Sequence, residues 1–158
     1  TDSHAGLAGR PHLGLSWTRQ FGLTGILAEE CTRSSLFAAL RAGRTFATCG
    51  QRSVVVFKVN GVGMGGTTIA RSTDPIRFQA YVVGSDSIAQ LEVLCGRRTL
   101  YRYNPGSGNI ATLDVQLPLT IRAPWTYCYL RVTEADGRMA WASPIWVMGT
   151  DNPKAVYP

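Results

Sequence analysis

Two metal-holding residue types stand one position apart at the start of the sequence, in Thr1-Asp2-Ser3-His4. In an extended segment Asp2 and His4 project to the same side, so both can reach one divalent ion or ion cluster. His12, inside the Gly-rich stretch Ala5–Leu15, is a further candidate ligand, with plain solvation as the alternative. The chain has 2 histidines in all. Any Ser–His or Cys–His pair must therefore form across this arm, and no Gly-x-Ser-x-Gly elbow offers a nucleophile. Carboxylates number only 10 and mostly sit near turns, so paired acids for proton transfer are scarce.

Gly61-x-Gly63-x-x-Gly66 has the spacing of a dinucleotide-binding loop and follows a strand-like run. That fingerprint works only where its last glycine opens a helix facing the pyrophosphate. Thr67–Pro75 has no helical periodicity and contains Asp74-Pro75, so the segment reads as a Gly-rich β-turn and nucleotide binding is rejected. The four cysteines (Cys31, Cys49, Cys95, Cys128) form no C-x-x-C pair, which argues against a zinc ribbon. They read as buried small hydrophobes, with one inter-sheet disulfide as the alternative. Trp125, Tyr127, Tyr129, Trp141 and Trp146 could build a sugar-stacking platform, although alternation within strands also suits a core role for several of them.

The formal charge of +6 invites a nucleic-acid reading, but the 16 basic residues are dispersed and only Arg97 and Arg98 are adjacent. Phosphate tracking needs a basic stripe with interleaved aromatics, so no nucleic-acid partner is expected. No membrane span is expected either, because apolar runs such as Val54–Phe57 fall far short of the roughly 20 residues required. A length of 158 residues with 45% hydrophobic content suits one globular domain, or one domain with an extra arm.

The elements that must position these groups pivot on Leu36–Ala47, a helix running into a strand. Thr32 is a suitable N-cap. Leu36, Phe37 and Leu40 share one helical face, Gly43 can end the helix, and Thr45–Thr48 has strand composition. Glu29 and Glu30 suit the helix's positive N-terminal pole. Upstream, the arm reads as loop, with Trp17, Phe21, Leu23, Ile26 and Leu27 packing it onto something. Downstream the period changes to two: Val54–Val59, Ile76–Val83, Ile88–Cys95, Leu100–Tyr103, Ile110–Leu117, Trp125–Thr133 and Ala140–Val147 are predicted strands separated by turn signals. Such spacing predicts an antiparallel sandwich, and the lack of a βαβ rhythm argues against parallel pairing.

Several blocks together resemble one group of metallohydrolases. They are Asp2-Ser3-His4, then Thr32-Arg33 with Leu36, Ala39-Leu40-Arg41 and Arg44–Gly50, then Phe57–Gly61 with Met64-Gly65. The ending Tyr129–Thr133 with Asp136–Val147 belongs to the same likeness. The chain resembles the C-terminal part of the PHP-like (polymerase and histidinol phosphatase) superfamily, in its uncharacterised and carbaryl-hydrolase-like branch, over nearly its whole length.

The resemblance implies a distorted α/β barrel that gathers two or three divalent ions (Zn, Mn or Fe) with His, Asp and Glu ligands from many strands. Asp2 and His4 match its last ligand motif. It implies a mainly β chain: an antiparallel Ig-like β-sandwich over residues 51–150, preceded over 1–50 by a loop-rich arm and one α-helix left over from the barrel, and followed by a tail, 151–158. The helix at Thr32–Ala42 would be the last of the barrel, and Ser143-Pro144-Ile145-Trp146 would close the sandwich. Catalytic metal sites typically take at least three protein ligands. The chain is therefore expected to be a fragment, inactive alone, whose partner is an upstream barrel segment or another chain supplying it. The alternatives are a ligand- or carbohydrate-binding sandwich, or an assembly module that oligomerises through its N-terminal arm.

Overall fold

A computed structural model describes residues 22–71, 74–121 and 124–150. Asp2, His4, His12, Trp17, Phe21 and the tail 151–158 lie outside the described residues. The elements run β1 (Leu23–Ile26), α1 (Arg33–Arg41), β2 (Thr45–Thr48), β3 (Val54–Val59), β4 (Val62–Gly63), β5 (Thr67–Ala70) and β6 (Pro75–Val83). They continue with β7 (Ile88–Cys95), β8 (Arg98–Tyr103), β9 (Ile110–Pro118), β10 (Trp125–Glu134), β11 (Met139–Ala142) and β12 (Ile145–Gly149). The chain is mainly β, in sheets whose strands pair antiparallel with one exception, largely as its period-two pattern predicts.

The smaller sheet has the order β4-β3-β6-β9 and is antiparallel throughout. Alternation sets its inner face: Val55, Phe57 and Val59 of β3 and Ile76, Phe78, Ala80 and Val82 of β6 are all buried. The larger sheet is organised on β10, which pairs with β7 along one edge. Along its other edge β10 pairs first with β12 and then with β11. The outer neighbours are β8 beside β7, β2 and β1 beyond β11, and β5 beside β12. Inner-face residues of both sheets, among them Leu91, Val93, Cys128, Leu130, Val132, Ile145 and Val147, join Phe57 and Phe78 in one hydrophobic core. Burial of such side chains is the main force holding the layers together.

Four expectations need correction. The arm is not all loop, since Leu23–Ile26 pairs with β2. Its mid-strand Gly25 hides the strand from the sequence, because glycine weakens strand propensity. The glycine is required there: a Cβ on it would lie 2.0 Å from the Phe46 ring. Next, Ala140–Val147 is two strands, because Pro144 interrupts the run between β11 and β12. Third, β12 and β5 pair in parallel, Trp146 opposite Thr67. Both strands leave the same end of the sheet, where Trp146 N–H donates to Gly66 O at 2.9 Å and Gly65 N–H to Pro144 O at 3.1 Å. The crossover that a parallel pair requires is supplied by the intervening strands rather than by a helix.

Fourth, α1 begins at Arg33 and buries little. Its termination and capping agree with the sequence: Ser35 N–H donates to Thr32 Oγ1 at 3.3 Å, and Gly43 takes φ +65° after the C-cap Ala42. The apolar face shared by Leu36, Phe37 and Leu40 is only partly covered, however. Ala39 is the buried residue of the helix, while Phe37 and Leu40 are 51% and 44% exposed. Arg33 covers part of the Phe37 ring, its guanidinium carbon 5.6 Å from the centroid.

Candidate functional site

The aromatic residues singled out in the sequence converge on the outer face of the larger sheet. In β10 the even positions Cys128, Leu130 and Val132 point to the core, so Trp125, Tyr127, Tyr129 and Arg131 point the other way. Register then brings Trp146 of β12 opposite Tyr127. The Trp125 and Trp146 rings meet edge to face with centroids 5.0 Å apart, and Tyr127 meets Trp146 at 5.8 Å in the same manner. Tyr127 and Tyr129 lie side by side at 6.4 Å with nearly parallel rings. Edge-to-face pairs of this kind stabilise one another by about 0.5–1.5 kcal/mol beyond their burial, so the cluster is partly preorganised. All four rings are half-buried. Trp141 shares the face but sits opposite Arg131, beside an open cleft of about 840 Å³ shared with Cys49 and Arg138.

At the end of the aromatic row lies a charge cluster the sequence did not reveal. Glu92 of β7 is opposite Arg131 on one side and Arg102 on the other. Its carboxylate accepts from Arg131 Nε at 2.6 Å and from Arg102 Nε at 3.0 Å. Burial of Glu92, 3% exposed, pushes its pKa up, but the hydrogen bonds and charges of Arg102 and Arg131 more than reverse this and hold it below the ordinary carboxylate value. It is therefore ionised at neutral pH, and two guanidiniums on one carboxylate leave a net positive charge beside Tyr129. In the sequence Glu92 looks like an ordinary solvent-facing residue of an alternating strand. Only the register of three strands shows otherwise.

A second carboxylate, Glu134, is 1% exposed at the end of β10. It accepts hydrogen bonds from the Ser53 hydroxyl, from Ser85 Oγ at 2.8 Å and from Ser85 N–H at 3.2 Å. Through these three hydrogen bonds it ties the entry to β3 and the β6–β7 turn to the larger sheet. On the smaller sheet's outer face Asp114 binds Arg77 through two contacts, 2.7 and 2.5 Å, and this guanidinium holds its carboxyl below the ordinary range.

The remaining sequence candidates resolve as follows. Asp2, His4 and His12 lie outside the described residues, and among the described residues no three His, Cys, Asp or Glu side chains are grouped to hold a metal. The Gly61–Gly66 motif joins β3, β4 and β5 with no helix after it. Cys95 and Cys128 are directly opposite on β7 and β10 and are disulfide-bonded, so the bridge lies within one sheet, not between two. Cys31 is exposed and Cys49 half-buried, both free thiols. No described helix is long and apolar enough to cross a membrane.

Comparison with known proteins finds relatives in Chlamydia. An uncharacterised protein of Chlamydia pneumoniae is 34% identical over 139 residues, covering 80% of this chain and 22% of its own length. Uncharacterised proteins of Chlamydia trachomatis and Chlamydia muridarum are 31% and 32% identical over 140 residues, with the same coverage. The chain thus spans about a fifth of the length of the curated relatives it matches. No protein-family model matches it. No solved structure matches it.

Proposed function

We propose that this chain is the C-terminal portion of a PHP-type metal-dependent hydrolase that cleaves a phosphoester or other ester, and that it is inactive by itself. The barrel then ends within residues 1–50, whose strands β1 and β2 run on into the larger sheet of an Ig-like sandwich made mainly by residues 51–150. The observation that carries the reading is the outward apolar side of α1. Phe37 and Leu40 stand exposed on a helix that is properly capped at both ends and followed directly by β2. Among the described residues nothing buries this apolar side, and an upstream barrel, or another chain supplying it, has the chemistry to cover it. The length of the Chlamydia relatives leaves room for such a barrel.

The donor chemistry fits: Asp2 and His4, with His12 as a further choice, offer a carboxylate and imidazoles suited to Zn, Mn or Fe. The remaining ligands would come from the barrel. Bound divalent ions lower the pKa of a water and polarise the scissile ester oxygen. Asp2 and His4 would orient there as the last ligand pair. The test is elemental analysis, without chelators and after Mn or Zn supply, of this chain and of the longer protein that carries it. The longer protein is expected to hold at least one ion per chain, with loss of metal and of aryl-phosphate hydrolysis on His4→Ala, and this chain well below one. A longer protein without bound metal sinks the hydrolase reading. An ion held tightly by this chain alone and lost on His4→Ala sinks the fragment reading.

A second reading is favoured by the ring cluster itself. Four aromatics gathered outside the core, where a folded sheet does not need them, support a sandwich that binds carbohydrate or another ligand by stacking. Retention on immobilised polysaccharide is then expected to weaken about tenfold in Trp125→Ala, in line with the energy of one stacked ring. It should persist in Trp141→Ala, whose ring stands apart. Equal retention of both variants and the parent chain would discard this reading.

A further inference from the structure

The Gly-rich turn that fails as a nucleotide loop has a different consequence. Gly65 packs backbone to backbone on the end of α1: a Cβ there would fall 2.0 Å from Ala42 O and 2.7 Å from Gly43 Cα. This contact holds the β3–β5 turn against the α1–β2 junction, and beside it is a cavity of about 370 Å³. The volume is at the lower end of small-molecule sites. Leu27, Val56, Val62 and Met64 give it apolar walls, and Arg44 and Lys58 also line it.

Neither cation is well matched within the chain. Lys58 is exposed on β3 and has no ion pair among the described residues. Among the described residues Arg44 has one ion-pair partner, Glu29 at 3.9 Å, and Glu29 is 85% exposed. An ion pair that long and that wet contributes little. The Nε of Arg44 is buried with no hydrogen-bond partner among the described residues. The chain therefore sets two under-used positive groups beside a small apolar hollow.

We propose that this cavity binds a small amphipathic monocarboxylate, with an apolar body of roughly eight to ten heavy atoms against Leu27, Val62 and Met64. Its carboxylate pairs with the Arg44 guanidinium, and Lys58 adds a second positive charge. A guanidinium fork matches a planar carboxylate better than it matches a single point charge. Glu29 competes for the same fork from outside, so removing its charge favours the ligand. The site is separate from the aromatic cluster and independent of the hydrolase reading.

The experiment uses octanoate and its neutral analogue octanamide as probes, followed by titration calorimetry and by amide shifts of Val62, Met64 and Gly63. Octanoate is expected to bind at least about tenfold more tightly than octanamide, the factor that a charge-assisted hydrogen bond supplies. R44Q and K58E should each weaken octanoate, R44Q by about tenfold or more, while E29Q tightens it. Lys58 and Glu29 are solvent-exposed, so their variants test the charge pattern without burdening the fold. Equal binding of acid and amide overturns the proposal, as does octanoate binding that is absent at millimolar concentration or indifferent to all three substitutions.

Discussion

Gly65→Ala is expected to destabilise the fold by about 4 kcal/mol, from backbone strain and steric overlap acting together. Gly65 has φ +80°, where any other residue is strained. Its added methyl would also overlap Ala42 O and the Gly43 backbone, which are main-chain atoms and cannot rotate away. Relief requires parting the turn from the helix end, which also pulls Gly65 N–H from Pro144 O and loosens the β5–β12 pairing beside it. Two glycines of the same turn provide controls. Gly61 shares φ +80° but its Cβ meets nothing within 4 Å, so Gly61→Ala should cost only the strain, about 1–2 kcal/mol. Gly63 has neither a positive φ nor a neighbour within 4 Å, and Gly63→Ala should change stability by less than about 1 kcal/mol. Urea midpoints of the three variants would rank them in that order. A Gly65→Ala midpoint equal to that of Gly61→Ala would show that the close approach does not matter.

Opening the Cys95–Cys128 bridge is expected to cost a similar amount. The two cysteines are 33 residues apart in sequence, and the chain-entropy account puts the constraint on the unfolded chain at about 4 kcal/mol for a loop of that size. Both lie in the centre of the larger sheet, where β7 and β10 already pair, so the folded geometry survives reduction and the loss falls on the unfolded side. The Cys95→Ala, Cys128→Ala double variant, compared with the parent chain with and without reductant, measures it. Thiol titration in denaturant checks the premise: two reactive thiols per chain before reduction, Cys31 and Cys49, and four after. Four before reduction would remove the basis of the prediction.

Much of this fold is legible in the residues alone, for physical reasons that differ by element. The period-two runs of β3 and β6 are readable because one face of each is buried in a continuous core and alternation records that burial directly. The Asn60-Gly61 turn, the Thr32 cap and the Gly43 helix stop were readable because each is a local backbone requirement met by one residue type. What lay beyond the sequence is everything that depends on which strand lies beside which. Glu92 looks solvated until β8 and β10 bring two arginines to it, and Cys95 finds Cys128 only through the β7–β10 register. The four rings become one cluster only because β12 sets Trp146 opposite Tyr127. The glycines of the β3–β5 turn are alike in sequence, and the folded backbone, through a positive φ and a close approach to the end of α1, makes Gly65 indispensable and Gly63 dispensable. Amphipathicity named the apolar side of α1, yet could not say what covers it; among the described residues Phe37 and Leu40 stay about half exposed. Local propensity and burial are written along the chain, whereas register, charge pairing and the partners of a surface arise only when distant segments meet.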